Sequence, residues 1–312
     1  MVVVAMGCET ELHGGIQFRV ALPRSVRAAD ASARPETLRS APELRIACMR
    51  ATRPPGTDPR RPTVTEATRS EQMHLELRDG LGWLTLDDGR ANAIGRTFCQ
   101  RLGTCLDRIE EDDDVFAVVL RGRPGFFSGG LDLKELPDLD SDALAEMIGL
   151  FMSTMRRLFL FPKPIVAAAD GHAIAGGMMI YLTADVRLAV DRPDARFGLN
   201  EAVTGIPLLG GTAGICRHAI PPEHQTELIL HGRLIDARGT SDRGITHELA
   251  RDAHRLDVRA EARARALSDL SLPAYRVNKR VLREEAWDRA VAMAERLADH
   301  VPTDNVFERI RR

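Results

Sequence analysis

Lysine is scarce in this chain, which has three lysines among its 312 residues. Apart from histidine, every other basic side chain is an arginine. Cysteine is sparse as well, with five scattered residues that form neither a Cys-x-x-Cys pair nor a disulfide framework. This cysteine usage predicts reduced thiols and a cytoplasmic location. The chain also lacks any run of about 18 apolar residues, so no membrane span is expected.

The charge balance is close to neutral, with a formal net charge of -2 at pH 7. Such a balance gives no general attraction to nucleic acid or to an anionic membrane. Neither a metal-ligand spacing nor a glycine-rich nucleotide loop occurs in the sequence. The acidic run at residues 110–114 is interpreted as a solvated helix end, because consecutive carboxylates do not converge on one ion. No metal is therefore expected.

Residues 1–70 differ in composition from the rest of the chain. They contain no lysine, are rich in Arg, Ala, Pro, Ser and Thr, and show no sustained hydrophobic period. Their prolines break helices and the segment has little to bury, which predicts a disordered N-terminal arm. An organelle-targeting peptide and a translation start near Met73 are alternatives. The predicted division is an arm at 1–70, a core at 71–260 and a helical region at 261–312.

The central stretch, residues 164–185, predicts a strand, a glycine turn and a helix. The strand covers the apolar run 164–169, the turn covers 171–177 with three glycines, and the helix covers 178–184. A helix that begins after a glycine pair leaves the N–H groups of its first turn free, with the positive end of the helix dipole behind them. Negative charge is expected to collect at that point.

A second stretch upstream has the same design. Residues 117–121 predict a strand, residues 128–130 a corner, and Asp132 is expected to cap a helix that begins at Leu131. Two such units could each point one N–H group at a single oxygen, which would form an oxyanion hole. The alternative for each unit is an ordinary turn between strand and helix.

Other segments predict further elements. Residues 73–86 alternate as a hairpin with its turn at Asp79 and Gly80, and residues 97–110 form an amphipathic helix. A helix within 138–161 carries a stripe of methionine and phenylalanine at helical spacing, interpreted as core. The tail, residues 273–312, predicts two amphipathic helices with an apolar seam that includes Trp287, Met293 and Leu297.

Five motifs, in order, resemble the crotonase or enoyl-CoA hydratase/isomerase superfamily from about Met73 to the end of the chain. The resemblance implies an α/β fold, a spiral of ββα units with a C-terminal helical region. It also implies acyl-CoA thioester substrates, no cofactor beyond the CoA of the substrate, and trimers or hexamers. The motifs are NAI at 92–94, FFSGGLDLKEL at 126–136, AAADGHAIAGG at 167–177 with Asp185 after its helix, FGLNEAVTGIPLLGG at 197–211, and ELILHGRLIDA at 227–237.

The resemblance assigns roles to residues of the first two units and of two lysine-bearing segments. It places the oxyanion hole at the N–H groups of Leu131 and Gly176. Lys134 and Lys279 correspond to CoA-contacting positions, and solvated surface is the alternative for both lysines. The remaining substrate-binding positions that it implies are Asn92, Ala93, Gly130, Gly177 and Met179.

Glu201 is the candidate for proton transfer. Its sequence neighbours are largely apolar, and poor solvation would raise the pKa of its carboxyl toward that of a general base. An exposed carboxylate at a helix start, with Asn200 as the cap, is the alternative. The resemblance favours the first interpretation, since a glutamate here is a catalytic acid/base in hydratases and isomerases.

Met179 departs from the hydratase pattern, in which a second glutamate stands at this position. A thioether can neither activate water nor move a proton, whereas a 1,3-proton shift needs one carboxylate. The sequence therefore predicts a 3-enoyl-CoA to 2-enoyl-CoA isomerase, with a hydratase, hydrolase, decarboxylase or non-catalytic CoA-ester-binding member as alternatives. His172 is expected to be a turn residue bonded to backbone, and a second base or a substrate contact is its alternative.

Overall fold

The computed structural model describes residues 66–69, 73–135, 139–208 and 210–297. The predicted N-terminal arm lies outside this range except for its last few residues. Most described strands belong to a seven-stranded sheet with the order β1-β2-β3-β4-β6-β8-β10. β2 is antiparallel to both of its neighbours, β1 and β3. The remaining neighbouring strands, from β3 to β10 in this order, are parallel. These strands are β1 (Glu66–Arg69), β2 (Met73–Arg78), β3 (Leu81–Leu86), β4 (Ala117–Arg121), β6 (Ile165–Ala169), β8 (Val186–Val190) and β10 (Glu248–Ala250).

A small parallel sheet of three short strands carries the segments that reach the site. Its order is β5-β7-β9. Each of its strands follows a strand of the large sheet along the chain, so the chain repeatedly leaves the large sheet, adds a strand to the small one and returns. The strands are β5 (Gly125–Ser128), β7 (Gly171–Ile174) and β9 (Phe197–Gly198).

Helices complete each repeat and cover the C-terminal end. This succession confirms the predicted α/β spiral of ββα units with a helical C-terminal region. The helices are α1 (Arg96–Glu111), α2 (Ser141–Phe159), α3 (Gly176–Thr183), α4 (Glu201–Thr204), α5 (Gly210–Ala219), α6 (Pro222–Gln225), α7 (Ala237–Asp242), α8 (Ala253–Ser268) and α9 (Leu272–Arg296), with a π-helical turn at Thr226–Leu230.

The core lies between the sheets and the helices, as the hydrophobic patterns predict. The apolar face of α1 is buried, and so are most residues of the methionine and phenylalanine stripe of α2. The hairpin turn falls where expected, with Asp79 and Gly80 both in the left-handed region at φ 50° and 77°. None of the helices described is long and apolar enough to cross a membrane.

One predicted turn and two predicted helices are wrong in detail. Residues 171–174 form β7 rather than part of a turn, and α3 begins at Gly176 rather than Met178. The sequence did not predict this strand, because Gly171 and His172 do not favour a strand by their own propensity. Both residues pair with β5, and the neighbouring strand holds them in place. No helix begins at Leu131: this residue pairs with Ile94, and Asp132 accepts a hydrogen bond from the Lys134 N–H within a turn.

Within the described residues, the tail forms one helix, α9, which ends at Arg296; the rest of the predicted tail, residues 298–312, lies outside the described residues. Only Trp287 of the predicted seam is fully buried, whereas Met293 and Leu297 are 48% and 47% exposed. The inward face of α9 is instead marked by Lys279, Arg283 and Trp287, which are all buried. Trp287 lies on Gly211 of α5, where an added Cβ would come within 2.2 Å of the indole ring. This contact fixes α9 against α5.

Candidate active site

A largely apolar cavity lies where the small sheet, α2, α3 and α4 meet. It encloses about 640 Å³ of empty space, including its opening to solvent. Four residues that separate motifs of the sequence indicated for the site line this one cavity: Leu131, Gly176, Met179 and Glu201. Its lining consists of Gly129, Leu131, Leu133, Ile148, Phe151, Ile174, Ala175, Gly176, Met179, Asn200, Glu201, Thr204, Ile206, Pro207 and Thr212.

The first loop, residues 129–131 after β5, turns the Leu131 N–H away from the neighbouring segment at Ile94. The Ile94 N–H donates to the carbonyl of Gly130 at 2.8 Å, and the Asp132 N–H donates to the carbonyl of Ile94 at 3.0 Å. In this parallel pairing the residue between Gly130 and Asp132 points its N–H to the opposite side. Leu131 lines the cavity, and that its amide points into the cavity stays a prediction.

Ser128 secures the same loop from within. Its hydroxyl donates to the carbonyl of Asn92 at 2.8 Å and accepts from the Gly130 N–H at 3.2 Å. The Gly129 N–H donates to the carbonyl of Ala91 at 2.8 Å. The loop around Leu131 is therefore fixed on both sides before any ligand binds.

The second loop, residues 175–176 after β7, places Gly176 at the start of α3. Ala175 precedes it with φ 51° and ψ -123°, a conformation that residues with a Cβ rarely adopt. The Ala175 N–H donates to the carbonyl of Gly198 at 2.9 Å, which holds this peptide in place. Backbone strain of this kind concentrates at functional sites, and here it orients the next amide, that of Gly176.

Glycine allows the two loops to touch. Gly130 has φ 96°, and a Cβ added there would lie 3.0 Å from the Ile174 carbonyl and 3.3 Å from the Gly176 nitrogen. The loops that carry Leu131 and Gly176 are thus in contact beside the cavity. That the Leu131 and Gly176 N–H groups bind one substrate oxygen together stays a prediction, because this geometry is defined relative to the substrate oxygen.

Glu201 begins the short helix α4 and faces the cavity from a buried position. Its side chain belongs to a residue only 7% exposed, and Oε2 has no hydrogen-bond partner among the described residues. Burial raises the pKa of this carboxyl to about 7, against a smaller opposing effect of a backbone hydrogen bond. The interpretation as an exposed helix-start carboxylate is therefore wrong.

Lys279 is not placed for the CoA phosphates. Its Nζ lies 2.8 Å from Oδ2 of Asp185, and its side chain is 3% exposed. Arg283 pairs with the other oxygen of the same carboxylate at 2.9 Å. The sequence indicated a solvated basic helix because the helix is rich in cations, but α9 turns these two cations inward. The predicted phosphate contact of Lys279 is wrong.

Asn92 serves the scaffold rather than the ligand. Its Nδ2 donates to the carbonyls of Leu86, Phe126 and Phe127, and its Oδ1 accepts from the Asp88 N–H. These bonds leave the side chain no obvious group to offer to pantetheine. Ala93 beside it is half-buried, and its predicted substrate contact stays a prediction.

His172 is bonded to backbone, as expected, although it lies in β7 rather than in a turn. Its Nδ1 accepts from the Arg196 N–H at 3.0 Å, and its ring packs on Phe126. It does not line the cavity, which argues against a role as second base or substrate contact.

Gly177 has a packing role, and its predicted substrate contact stays a prediction. An added Cβ would lie 2.2 Å from the Ser128 carbonyl, so the absence of a side chain lets α3 lie against the end of β5. Lys134 is exposed in the turn after the first loop, and its CoA contact stays a prediction.

Sequence reasoning missed two features of the site. The positive φ of Ala175 has no signal in sequence, since alanine ordinarily avoids this region. Asn200 was interpreted only as a helix cap, yet its side chain makes no cap hydrogen bond and lines the cavity. The adjacent pair of polar residues in an apolar motif, Asn200 and Glu201, was the available signal.

Comparisons with known proteins agree with this geometry. Residues 76–303 match the family described as enoyl-CoA hydratase/isomerase. A probable enoyl-CoA hydratase from Bacillus subtilis is 34% identical over 193 residues, which cover 60% of this chain and 72% of that protein.

Solved structures of two proteins extend the similarity. An enoyl-CoA hydratase/isomerase family protein from Pseudomonas syringae has a TM-score of 0.67 and 28% identity, covering 73% of this chain and 97% of its own. A Mycobacterium tuberculosis protein, named an enoyl-CoA isomerase with one solved structure and a probable enoyl-CoA hydratase with another, has a TM-score of 0.65 and 26% identity; the match covers 76% of this chain and 97–98% of that protein. With a family match across most of its length and the fold and cavity described above, this chain belongs to the enoyl-CoA hydratase/isomerase family.

Proposed function

We propose that this protein is an enoyl-CoA isomerase that moves a double bond from the 3- to the 2-position of an acyl-CoA thioester. One observation carries the proposal: Glu201 is the only ionisable side chain among the described residues that line the cavity. Met179, at the position of the second hydratase glutamate, lines the same cavity and is 4% exposed. One carboxyl group suffices for a proton shift.

The reaction follows from the placement of these groups. The Leu131 and Gly176 N–H groups bind the thioester oxygen, and Glu201 removes a proton from C2. The C2–H electron pair forms the C1–C2 double bond of a dienolate as the carbonyl electrons move to the oxygen. When the carbonyl re-forms, the C1–C2 electron pair becomes the C2–C3 double bond, and the C3–C4 pair takes the proton from Glu201 to form the new C4–H bond. Atoms and charge balance without a cofactor.

The surroundings of Glu201 suit both halves of this transfer. A pKa near 7 leaves much of the carboxyl ionised at neutral pH, yet makes it basic enough to compete for a proton beside a thioester. The cavity walls are mostly apolar. Fixed N–H groups in such a cavity stabilise the developing oxyanion without reorganising, and losing one donor typically costs about 2.7–4 kcal/mol.

Hydration of a 2-enoyl-CoA is the second candidate. The names of relatives favour it, since the similar protein from Bacillus subtilis is called a probable enoyl-CoA hydratase. Water addition requires a group that activates water as well as one that handles the α proton. The described lining offers one carboxyl for both tasks, which favours the isomerase.

The test compares the wild type with Glu201→Gln on two substrates, a 3-enoyl-CoA and a 2-enoyl-CoA, with products identified by mass spectrometry. The proposal expects conversion of the 3-enoyl-CoA by the wild type and a loss of at least about a hundredfold in the variant, the scale of acid–base catalysis. Water addition at a rate that rivals isomerisation would establish the hydratase instead. CoA-ester binding without any turnover would indicate a non-catalytic member.

A further inference from the structure

Two buried acceptor oxygens without partners lie side by side in the sequence and share the cavity. Among the described residues, the buried side-chain atoms that lack a hydrogen bond are Arg101 Nη1, Asn200 Oδ1 and Glu201 Oε2. The last two belong to residues that line the cavity. Leaving a buried polar atom unpaired costs about 1–3 kcal/mol, so a pair of them in one apolar cavity calls for a donor.

Asn200 is free to face the cavity because it does not cap its helix. Asparagine at this position usually accepts a hydrogen bond from the first turn of the helix. Here its backbone has φ -99° and ψ 21° rather than the extended conformation of a capping residue, and no side-chain cap bond forms. Thr204, the other polar side chain of α4, donates instead to the main-chain carbonyl of Glu201 at 3.1 Å.

A proton on Glu201 resolves the conflict between the two oxygens. While Glu201 is ionised, both atoms are acceptors and cannot bond to each other. Once Glu201 carries a proton, its O–H becomes a donor and the Asn200 Oδ1 is an acceptor with no other partner. The protonated carboxyl is also the form that exists midway through the proposed isomerisation.

We propose that Asn200 is a positioning residue whose Oδ1 accepts the hydrogen bond donated by protonated Glu201, and so holds the transferred proton in place between C2 and C4. The role rests on Glu201 being the acid/base of the proposed function. The bond fixes which carboxyl oxygen carries the proton and how it is aimed. It also stabilises the neutral acid and makes Glu201 a stronger base than burial alone would.

Few other groups act on this carboxyl. On α5, burial and the charge of the Glu201 carboxylate raise the pKa of the buried Cys216 thiol well above its usual range, so the thiol stays neutral. The described lining from α2 and α3 consists of uncharged residues: Ile148, Phe151, Gly176 and Met179. The titration of Glu201 therefore reports its burial and its bond to Asn200.

The test measures the ionisation of Glu201 without substrate. Infrared difference spectra between each protein and the same protein carrying Glu201→Gln isolate the protonated carboxyl band of Glu201, which is followed against pH. Asn200→Ala and Asn200→Leu both remove the acceptor, and Leu keeps the volume. The midpoint should fall by about one pH unit in both variants, a tenfold weaker hold on the proton. Thr104→Val, at an exposed position of α1 outside the cavity, serves as the control and should leave the midpoint in place.

A midpoint that stays unchanged or rises in both Asn200 variants would overturn the proposal, because the amide would then be inert or would donate to the carboxylate. Circular dichroism identifies a variant that fails to fold, and the second variant then decides. In the enzyme assay, the acidic limb of kcat/KM should move down with the infrared midpoint. Failure of the isomerase assay alone leaves the infrared result readable, so the two proposals fail separately.

Discussion

At the scale of single residues, Gly177 shows how one missing side chain shapes the site. The Cβ of alanine would lie 2.2 Å from the Ser128 carbonyl, which belongs to the backbone that also carries the first loop. Gly177→Ala should lower the free energy of unfolding by about 1–3 kcal/mol or more, because α3 must move away from β5. Urea denaturation measures the change.

The matched control is Gly149→Ala on α2, where nothing lies within 4 Å of an added Cβ. This substitution should stabilise the protein by about 0.5–1 kcal/mol, as alanine does in a helix interior. Similar effects of the two substitutions on stability would show that the close approach at Gly177 is not required.

Met179 is the residue on which the choice of reaction depends. Met179→Glu would supply a second carboxyl in the cavity, so the rate of water addition to a 2-enoyl-CoA should rise at least about tenfold, within the range of one acid–base group. Met179→Gln introduces a side chain of the same length as glutamate but without a charge, and this variant should not gain the activity. Coupled assays for the 3-hydroxyacyl-CoA product follow both. A gain in the Gln variant would mean that added polarity, not acid–base chemistry, limits hydration.

At the scale of secondary structure, α9 is fastened to the core by a buried cluster of charges. Asp185 accepts from the Ile165 N–H at 2.7 Å and pairs with both Lys279 and Arg283. Burial alone would raise the pKa of Asp185, but the two cations lower it overall. Arg283 also donates to the carbonyls of Phe159 and Thr183. One helix is thereby tied to three other elements.

Asp185→Asn should therefore destabilise the protein by about 3–5 kcal/mol, because it leaves two buried cations without a counter-charge. Thermal unfolding and urea denaturation measure the loss. Glu285→Gln is the control on the same helix, where it breaks a solvent-exposed pair with Arg289 and should cost under about 1 kcal/mol. Equal losses in the two variants would contradict the buried-cluster account.

At the scale of the whole molecule, Glu201 lowers stability in the pH range where it could work. Its pKa of about 7 lies above the ordinary value of 4.5, so the folded state holds its proton more tightly than the unfolded state. Stability present below pH 4.5 is lost as pH rises toward 7. Glu201→Gln removes this loss, so its stability relative to wild type should rise by about 3 kcal/mol between pH 4.5 and 7.5.

Urea denaturation of both proteins across this pH range measures the difference, and groups other than Glu201 largely cancel between them. A difference that stays constant with pH would show that the carboxyl is solvated in the folded state. It would then also weaken the case for Glu201 as the base.

Assembly is a further property at this scale, and the expected trimer or hexamer stays a prediction. One surface of α9 is apolar and exposed, with Val277, Val281 and Leu282 at 57%, 74% and 69%. Such a row favours contact with another surface, but it does not specify the copy number.

The sequence by itself determined the elements and the chemistry that they could carry. The strand at 117–121 was predicted to the residue, because its apolar run identifies a buried parallel strand. Glu201 was predicted as a poorly solvated carboxyl from its apolar neighbours in sequence, of which Ile206 and Pro207 line the same cavity, whereas Val203 is exposed. Local pattern sufficed wherever the local neighbours were also the spatial ones.

The tertiary structure alone decided the direction in which polar groups face. Lys279 belongs to a basic helix that looks solvated, yet helix rotation against α5 buries it on Asp185, a residue 94 positions away. Asn200 looks like a cap, yet the conformation of its backbone turns its amide into the cavity. Ala175 holds a positive φ that only long-range pairing with Gly198 maintains. Each outcome depends on contacts between segments far apart in the chain, which no local pattern encodes.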